Sequence, residues 1–121
     1  MIDGTLLFKG TTVFSPWFPR QADMLRVTAE CIAVNGATIT IKLYTKNRAD
    51  PGDGNQVDAG GGGTVITLSA PGRSTAEFKY VPAQEGVEEM LRFQFAVTGT
   101  DATDWILYRL LPAVWFDAVT A

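Results

Sequence analysis

The sequence predicts an all-β protein, a single antiparallel β-sandwich of jelly-roll or immunoglobulin-like topology with seven to eight strands. Three observations support this prediction. Apolar residues recur at every second position in several segments, as strands with one buried face require. Short runs rich in Gly, Pro, Asn and Asp separate those segments, and strand-forming residues such as Val, Ile, Thr and Phe are plentiful. The 121 residues are the size of one domain, which we place at 1–121.

Residues 1–20 leave two interpretations open. Ile2 to Phe8 is apolar without a clear period. Ser15 to Arg20 cannot form a helix, because its two prolines fix φ and hold the preceding residues in extended geometry. The whole segment is therefore either an assembly arm or a set of edge strands. We expect its aromatic pair, Trp17 and Phe18, either to close one end of the sandwich or to contact a partner.

The strongest local signal is a hairpin in the first half of the chain. Asp23 to Val34 alternates apolar and polar residues, and so does Ala37 to Lys46. Between them lies Asn35-Gly36, the dipeptide preferred in two-residue hairpin turns. We therefore predict that the two segments pair as adjacent strands. The residues predicted to face inward are Leu25, Val27, Ala29, Cys31, Ala33, Ile39, Ile41 and Leu43, with Tyr44 facing outward.

Residues 47–63 predict a Gly-rich loop, because they contain many turn-forming residues and end in four glycines. Its aspartates could offer oxygen ligands to Ca²⁺, but the spacing lacks the distal glutamate of an EF-hand. A solvated turn is the favoured interpretation. Strands are predicted at Thr64–Ser69 and Ser74–Val81, followed by a single helical turn within Pro82–Glu89.

The last quarter, Leu91 to Phe116, predicts a second hairpin. Leu91–Val97 alternates strictly, the polar turn Thr98–Asp104 follows, and Trp105–Leu111 is apolar on both faces. The residues predicted to face inward are Leu91, Phe93, Phe95, Val97, Leu107 and Leu111. The opposite face of the second strand, formed by Ile106, Tyr108 and Leu110, is then left for the N-terminal segment, the chain's own tail or another subunit.

Composition excludes several classes of function. The chain has no His and a single Cys, so Ser-His-Asp catalysis and zinc sites built on Cys and His within one chain are excluded. Paired carboxylates occur only in predicted turns, where nothing would shift their pKa values apart. We assign no catalytic residue, no metal ligand and no cofactor, and we expect that the protein is not an enzyme.

Charge and hydropathy also restrict the partners. The net charge is −3 and the Lys and Arg residues are scattered, so we expect no nucleic-acid partner. No apolar run reaches the ~18 residues that span a bilayer, so we expect no membrane partner. Met1-Ile2-Asp3 lacks the basic and apolar regions of a signal peptide, which predicts synthesis in a cytoplasm.

Four segments together resemble a group of small β-sandwich proteins encoded among the virion genes of tailed bacteriophages. They are Ser15–Arg20, Tyr44–Asp50 with the Gly-rich loop that follows, Leu91–Phe93, and Trp105–Trp115 with its ending Leu-Leu-Pro-x-x-Trp. The resemblance implies a structural role as a capsid decoration (head-auxiliary) or minor head protein, located in the virion after synthesis in the host cytoplasm. It brings no catalytic residues with it.

Such a protein would act by adhesion to the major capsid protein, to other virion subunits and to its own copies, most plausibly as a trimer. The candidate interface residues are Leu6, Leu7, Phe8, Trp17, Phe18, Ile106, Tyr108, Leu110, Trp115 and Phe116. The alternative function is a carbohydrate-binding or adhesion module that uses exposed aromatic residues, with Trp17 and Tyr44 as its best members. A monomer would favour that alternative, whereas symmetric self-association would favour the virion protein.

Overall fold

The computed structural model describes residues 4–22, 24–47, 49, 52, 54–56, 66–79 and 89–116. All regular secondary structure in these ranges is β, and the strands form two antiparallel sheets that pack against each other. The strands of the first sheet are β1 (Thr5–Phe8), β4 (Met24–Asn35), β8 (Gly72–Lys79), β10 (Trp105–Leu110) and β11 (Val114–Phe116). Those of the second are β2 (Thr12–Phe14), β3 (Phe18–Pro19), β5 (Thr38–Lys46), β6 (Asn55–Gln56), β7 (Ile66–Leu68) and β9 (Met90–Thr98). The predicted all-β sandwich is confirmed.

Short strands lie end to end, so each sheet is four strands wide. In the first sheet β10 and β11 share one edge of β4, and β8 occupies its other edge. In the second sheet β2 and β3 share one edge of β9, while β6 and β7 share the outer edge of β5. Pro16 lies in the break between β2 and β3, and Pro112 lies in the break between β10 and β11. Proline has no backbone N–H, so it cannot continue the hydrogen bonding of a strand at these positions.

The strand order is that of a jelly roll. It runs β1, β10 with β11, β4, β8 in one sheet and β2 with β3, β9, β5, β6 with β7 in the other. The chain's first half pairs with its second half in reverse order: β1 with β10, β2 with β9, β4 with β8, and β5 with β6 and β7. This is one antiparallel ribbon rolled into two sheets, which decides between the two predicted topologies in favour of the jelly roll.

The core lies between the inner faces of the two sheets, where alternation places every second residue. The ring of Phe95 in the second sheet packs on that of Tyr108 in the first, with centroids 5.4 Å apart. The buried hydroxyl of Thr45 donates to the carbonyl oxygen of Met90 at 3.0 Å, so this hydroxyl has a hydrogen-bond partner inside the core. The core residues are Leu25, Val27, Ala29, Cys31, Ala37, Ile39, Ile41, Leu43, Ile66, Leu68, Leu91, Phe93, Phe95, Val97, Ile106 and Tyr108.

Both predicted hairpins are wrong, although their strands are right. β4 and β5 belong to different sheets, and so do β9 and β10. Each pair faces its partner across the core, so Asn35-Gly36 and the polar turn after β9 are connections between sheets. Alternation gives every strand one apolar face but does not say whether two such faces lie side by side or opposite each other. Turn residues allow both outcomes, because they specify only that the chain reverses.

The two inter-sheet connections are joined by Asp104, which is 5% exposed. Its Oδ2 accepts hydrogen bonds from the backbone N–H groups of Thr100 and Asp101, both at 3.0 Å. Gly36 and Gly99 approach the carboxylate so closely that a Cβ on either would lie 2.7 Å and 2.8 Å from its oxygens. Gly36 also has φ of 73°, where glycine is strongly preferred.

The described part of the N-terminal segment consists of edge strands and does not form a separate arm. β1 lies at the edge of the first sheet beside β10, and β2 and β3 lie along β9 in the second. Within the predicted loop 47–63, Asn55–Gln56 is a short strand on β5. Most of that loop, including its four consecutive glycines and its aspartates, lies outside the described residues, as do 82–88 of the predicted helical turn.

A bulge in β4 changes which of its residues face the core. Leu107 and Tyr108 are consecutive in β10 but pair with Ala33 and Cys31, so Ile32 is an additional residue. Beyond the bulge Val34 packs against the core, while Ala33, which was predicted to face inward, is not among the core residues. Ile32 is 41% exposed on the opposite side.

Candidate functional site

The ten predicted interface residues lie in three different places. Leu6 and Phe8 are each 49% exposed on the outer face of the first sheet. Trp17 is half-buried on the outer face of the second sheet. The remainder face the interior or its ends: Leu7, Phe18, Leu110 and Trp115 pack against the core, and Ile106 and Tyr108 belong to it. Phe116 pairs through its backbone with Met24, and its side chain is outside the description.

The prediction that the face of β10 formed by Ile106, Tyr108 and Leu110 is open to a partner is wrong. Ile106 is fully buried and Tyr108 is 4% exposed, and burial raises the pKa of the Tyr108 hydroxyl to about 12. The residues on the other face of β10, including Leu107, point outward. Arg109 shares that face and forms an ion pair there. A strand with bulk on both faces gives no clear alternation, but a charged residue favours the wet face, and this signal was available in the sequence.

Phe18 and Trp115 close one end of the sandwich. The interpretation that Trp17 and Phe18 both close this end is right for Phe18 and wrong for Trp17, which lies on the outer face. The Phe18 ring lies 5.5 Å from that of Phe93 and 6.4 Å from that of Trp115, measured between centroids. β3 and β11 belong to different sheets, so this contact joins the two sheets. Phe18 and Trp115 are therefore scaffold residues.

An apolar patch covers the outer face of the first sheet at its β1 edge. Leu6 stands opposite Leu107 and Phe8 opposite Trp105 in the antiparallel register. Ile32 and Leu107 converge beside Gly4, where a Cβ would lie 3.2 Å and 3.3 Å from their Cδ1 atoms. We call these five residues the apolar patch: Leu6, Phe8, Ile32, Trp105 and Leu107.

An ionic network borders the apolar patch. Arg109 donates from Nε to Oε1 of Glu30 at 2.6 Å, and Arg73 donates from Nε to Oε2 at 3.1 Å. The hydrogen bonds from Arg73 and then from Arg109 lower the pKa of the Glu30 carboxyl. Glu30 and Arg109 are each two residues from a patch residue on the same strand, so apolar surface with a charged border is present on this face.

A cluster of aromatic and positively charged residues covers the outer face of the second sheet. The Arg92 guanidinium lies 4.1 Å from the Phe14 ring centroid and 4.7 Å from that of Trp17. Lys46 Nζ lies 4.8 Å from the Trp17 centroid, and the Tyr44 ring meets Phe14 edge to face at 6.2 Å. We call these five residues the cationic–aromatic cluster.

The local sequence explains how Trp17 and Phe18 come to lie on opposite sides of the sheet. Ser15 holds the break between β2 and β3 against β9, because its Oγ accepts from the N–H of Phe93 at 2.8 Å and its N–H donates to the Phe93 carbonyl at 2.9 Å. Phe18 then pairs with Leu91 and faces inward. Trp17, one residue earlier, faces outward onto Arg92 and Lys46.

Neither a metal-binding group nor a reactive thiol is found among the described residues. They contain no cluster of three or more His, Cys, Asp or Glu side chains. Cys31 is buried in the core, its Sγ donates to the Ala33 carbonyl at 3.7 Å, and burial raises the pKa of its thiol. No helix in the described ranges has the length and apolar character needed to cross a membrane.

The sequence interpretation missed several residues of both surfaces. Tyr44 was expected to face outward, and Lys46 and Arg92 occupy the same kind of outward position in alternating strands, so alternation could have indicated them. Their proximity could not be predicted, because it requires β5, β9 and the β2–β3 row to be neighbours. Ile32 faces outward by the same alternation, whereas its convergence with Leu107 depends on the pairing of β4 with β10.

No protein-family model, curated protein or solved structure matches this chain. Function must therefore be inferred from the residues on the two outer faces.

Proposed function

We propose that this chain is a non-enzymatic structural protein of a tailed-phage virion, a capsid decoration or minor head protein. The observation that carries the proposal is the apolar patch on the outer face of the first sheet. Its two most exposed members, Leu6 and Phe8, are each half exposed to water in the isolated chain. Contiguous exposed apolar surface with a charged border is typical of protein–protein contact sites.

The position of β1 adds to this support. In the part of the chain that the structure describes, β10 is the strand that pairs with β1, and β1 is the edge of its sheet. Sheet edges that avoid association usually carry charged residues or proline. Thr5-Leu6-Leu7-Phe8 carries neither. Both the side chains and the backbone of this strand therefore favour contact with another subunit.

The virion assignment draws its support from the resemblance of the four sequence segments. The jelly roll agrees with it at the level of fold analogy, since capsid and lectin domains both use this topology. The partners we propose are copies of the same chain, in a trimer, and the major capsid protein or another virion subunit. Repetition on a symmetric shell would let each modest contact gain avidity.

Two measurements test this proposal. Sedimentation of the purified full chain is expected to give a mass three times that of one chain. Quantitative mass spectrometry of purified, nuclease-treated particles is expected to detect the protein at a fixed copy number relative to the major capsid protein. A monodisperse monomer, or a protein absent from purified particles, would contradict the proposal.

A second candidate function is carbohydrate binding by the opposite face. The observation that favours it is the cationic–aromatic cluster, which includes Trp17 and Tyr44, the best members of the aromatic platform in the alternative function. Phe14 remains 45% exposed within this cluster. A monomer that binds immobilised glycans would favour this candidate over assembly.

A further inference from the structure

The described residues on the outer face of the second sheet carry a net charge opposite in sign to that of the whole chain. The chain carries a net charge of −3. Yet none of the described outward residues of β2, β5, β6, β7 and β9 is acidic, while Lys42, Lys46 and Arg92 are basic. A positive face on an acidic protein attracts negatively charged ligands and orients them toward that face.

Ring contacts hold two of these charges, those of Lys46 and Arg92, next to aromatic surface. Arg92 is stacked on Phe14 and Trp17, and Lys46 lies over Trp17 while donating to the Gly52 carbonyl at 3.2 Å. Cations held over rings lose less conformational freedom on binding than mobile ones. Phe14 still presents nearly half of its surface to solvent. The face therefore offers apolar ring area and positive charge within a few ångströms of each other.

The backbone of the two central strands under this face, β5 and β9, is paired within the sheet. β9 pairs with β5 on one edge and with β2 and β3 on the other. β5 pairs with β9 and with β6 and β7. An acidic peptide that adds a strand needs a free edge, which these two central strands do not have. A ligand here must be recognised by side chains alone, over a flat surface.

We infer that this face binds an acidic saccharide, a chain of sugars that carry carboxylate groups. The apolar C–H face of a sugar ring would pack on Phe14 and its aromatic neighbours. The carboxylates would lie near Lys42 and Lys46, where charge-assisted hydrogen bonds can form. This inference names the ligand class of the second candidate function and rests on it. It is independent of the assembly proposal, which uses the opposite face.

The test is calorimetric titration of the full chain with short oligogalacturonate, compared with the same oligomer after methyl esterification of its carboxylates. Because the oligomer is short, each subunit binds it singly and the oligomeric state does not affect the affinity. The free acid is expected to bind at least tenfold more tightly than the ester, and its affinity is expected to fall as salt is added. Phe14→Ala and Lys42→Gln are each expected to weaken binding about tenfold.

Two variants control for the loss of apolar surface or of a charge elsewhere. Val114→Ala removes apolar surface from a side chain that is 51% exposed in β11 of the first sheet, and Lys9→Gln removes a positive charge from the exposed turn after β1. Both are expected to leave the affinity within about twofold of the wild-type value. Equal losses in Val114→Ala and Phe14→Ala would overturn the assignment of the ligand to this face.

The remaining outcomes separate the inference from the function on which it rests. Equal binding of acid and ester would overturn the acidic class while leaving carbohydrate binding in place. Failure of both oligomers to bind would overturn the inference and the second candidate together. Tighter binding of hexaglutamate or of a short oligothymidylate would show a general polyanion site and would also overturn the inference.

Discussion

The two outer faces of this sandwich share a fold and differ in chemistry. The first sheet exposes an apolar patch and holds its charges in a network around Glu30. The second sheet exposes a ring of similar size, Phe14, and holds positive charge directly over it. Uncharged apolar surface favours contact with another protein, whereas rings combined with cations favour a polar, charged ligand. The residues that the core leaves on each outer face therefore decide which kind of ligand we propose for that face.

The first way to break this comparison is to disturb the connection that sets the two sheets opposite each other. Gly36→Ala would place a Cβ 2.7 Å from Asp104 Oδ1 at a φ of 73°. We expect a loss of about 3 kcal/mol in the free energy of unfolding, measured by urea denaturation. Both proposed binding surfaces should be lost together where this variant unfolds, because the connection joins the two sheets.

Gly10→Ala is the matched control for that variant. Gly10 has a similar φ of 83°, but its Cβ would have no atom within 4 Å. Only the backbone strain then remains, and we expect a loss of about 1 kcal/mol. Equal losses in the two variants would contradict the role assigned to the contact with Asp104.

A somewhat smaller effect is expected from Asp104→Ala. The substitution removes two hydrogen bonds to a nearly buried carboxylate and leaves the N–H groups of Thr100 and Asp101 without that partner. The expected loss in the free energy of unfolding is about 2–3 kcal/mol. Asp101→Ala, on an exposed side chain of the same turn, should cost less than about 0.5 kcal/mol. A larger loss in Asp101→Ala than in Asp104→Ala would contradict the role of Asp104 as the residue that holds the turn.

The smallest expected effect concerns the border of the apolar patch. The pKa of Glu30 is lowered in the folded protein, so its stabilising contribution is present above the pKa of the unfolded carboxyl. That contribution is lost as the pH falls through the lowered, folded pKa. The melting temperature of Glu30→Gln should therefore be slightly below that of the wild-type protein at neutral pH and equal to it in strong acid. A melting difference that does not change with pH would contradict this account.

Much of the fold could be predicted because it depends on local alternation. β4, β5 and β9 lie close to their predicted bounds, and the inward residues of β5 and β9 are confirmed in the core. Pairing could not be predicted in the same way. Asn35-Gly36 has the composition of a hairpin turn, and only the packing of whole sheets decides that it crosses between them.

The candidate surfaces were harder to predict than the fold. Leu6 and Phe8 were expected at an interface and are exposed, but Ile106 and Tyr108, chosen on the same grounds, are buried. When a strand has large apolar side chains on both faces, a charged residue such as Arg109 is needed to predict which face is exposed. The cationic–aromatic cluster combines residues that are up to 78 positions apart in the chain, from Phe14 to Arg92. Its assembly depends on the neighbours of β9, which alternation does not specify.

The most direct test of the central claim compares the solution masses of the wild-type chain, Phe8→Ser and Phe14→Ser. Each variant replaces a ring that is about half exposed on an outer face, so neither should unfold the domain. Sedimentation equilibrium is expected to show that Phe8→Ser reduces the mass to that of one chain, while Phe14→Ser keeps the wild-type assembly. An assembly that survives Phe8→Ser and is lost in Phe14→Ser would contradict the assignment of the two faces.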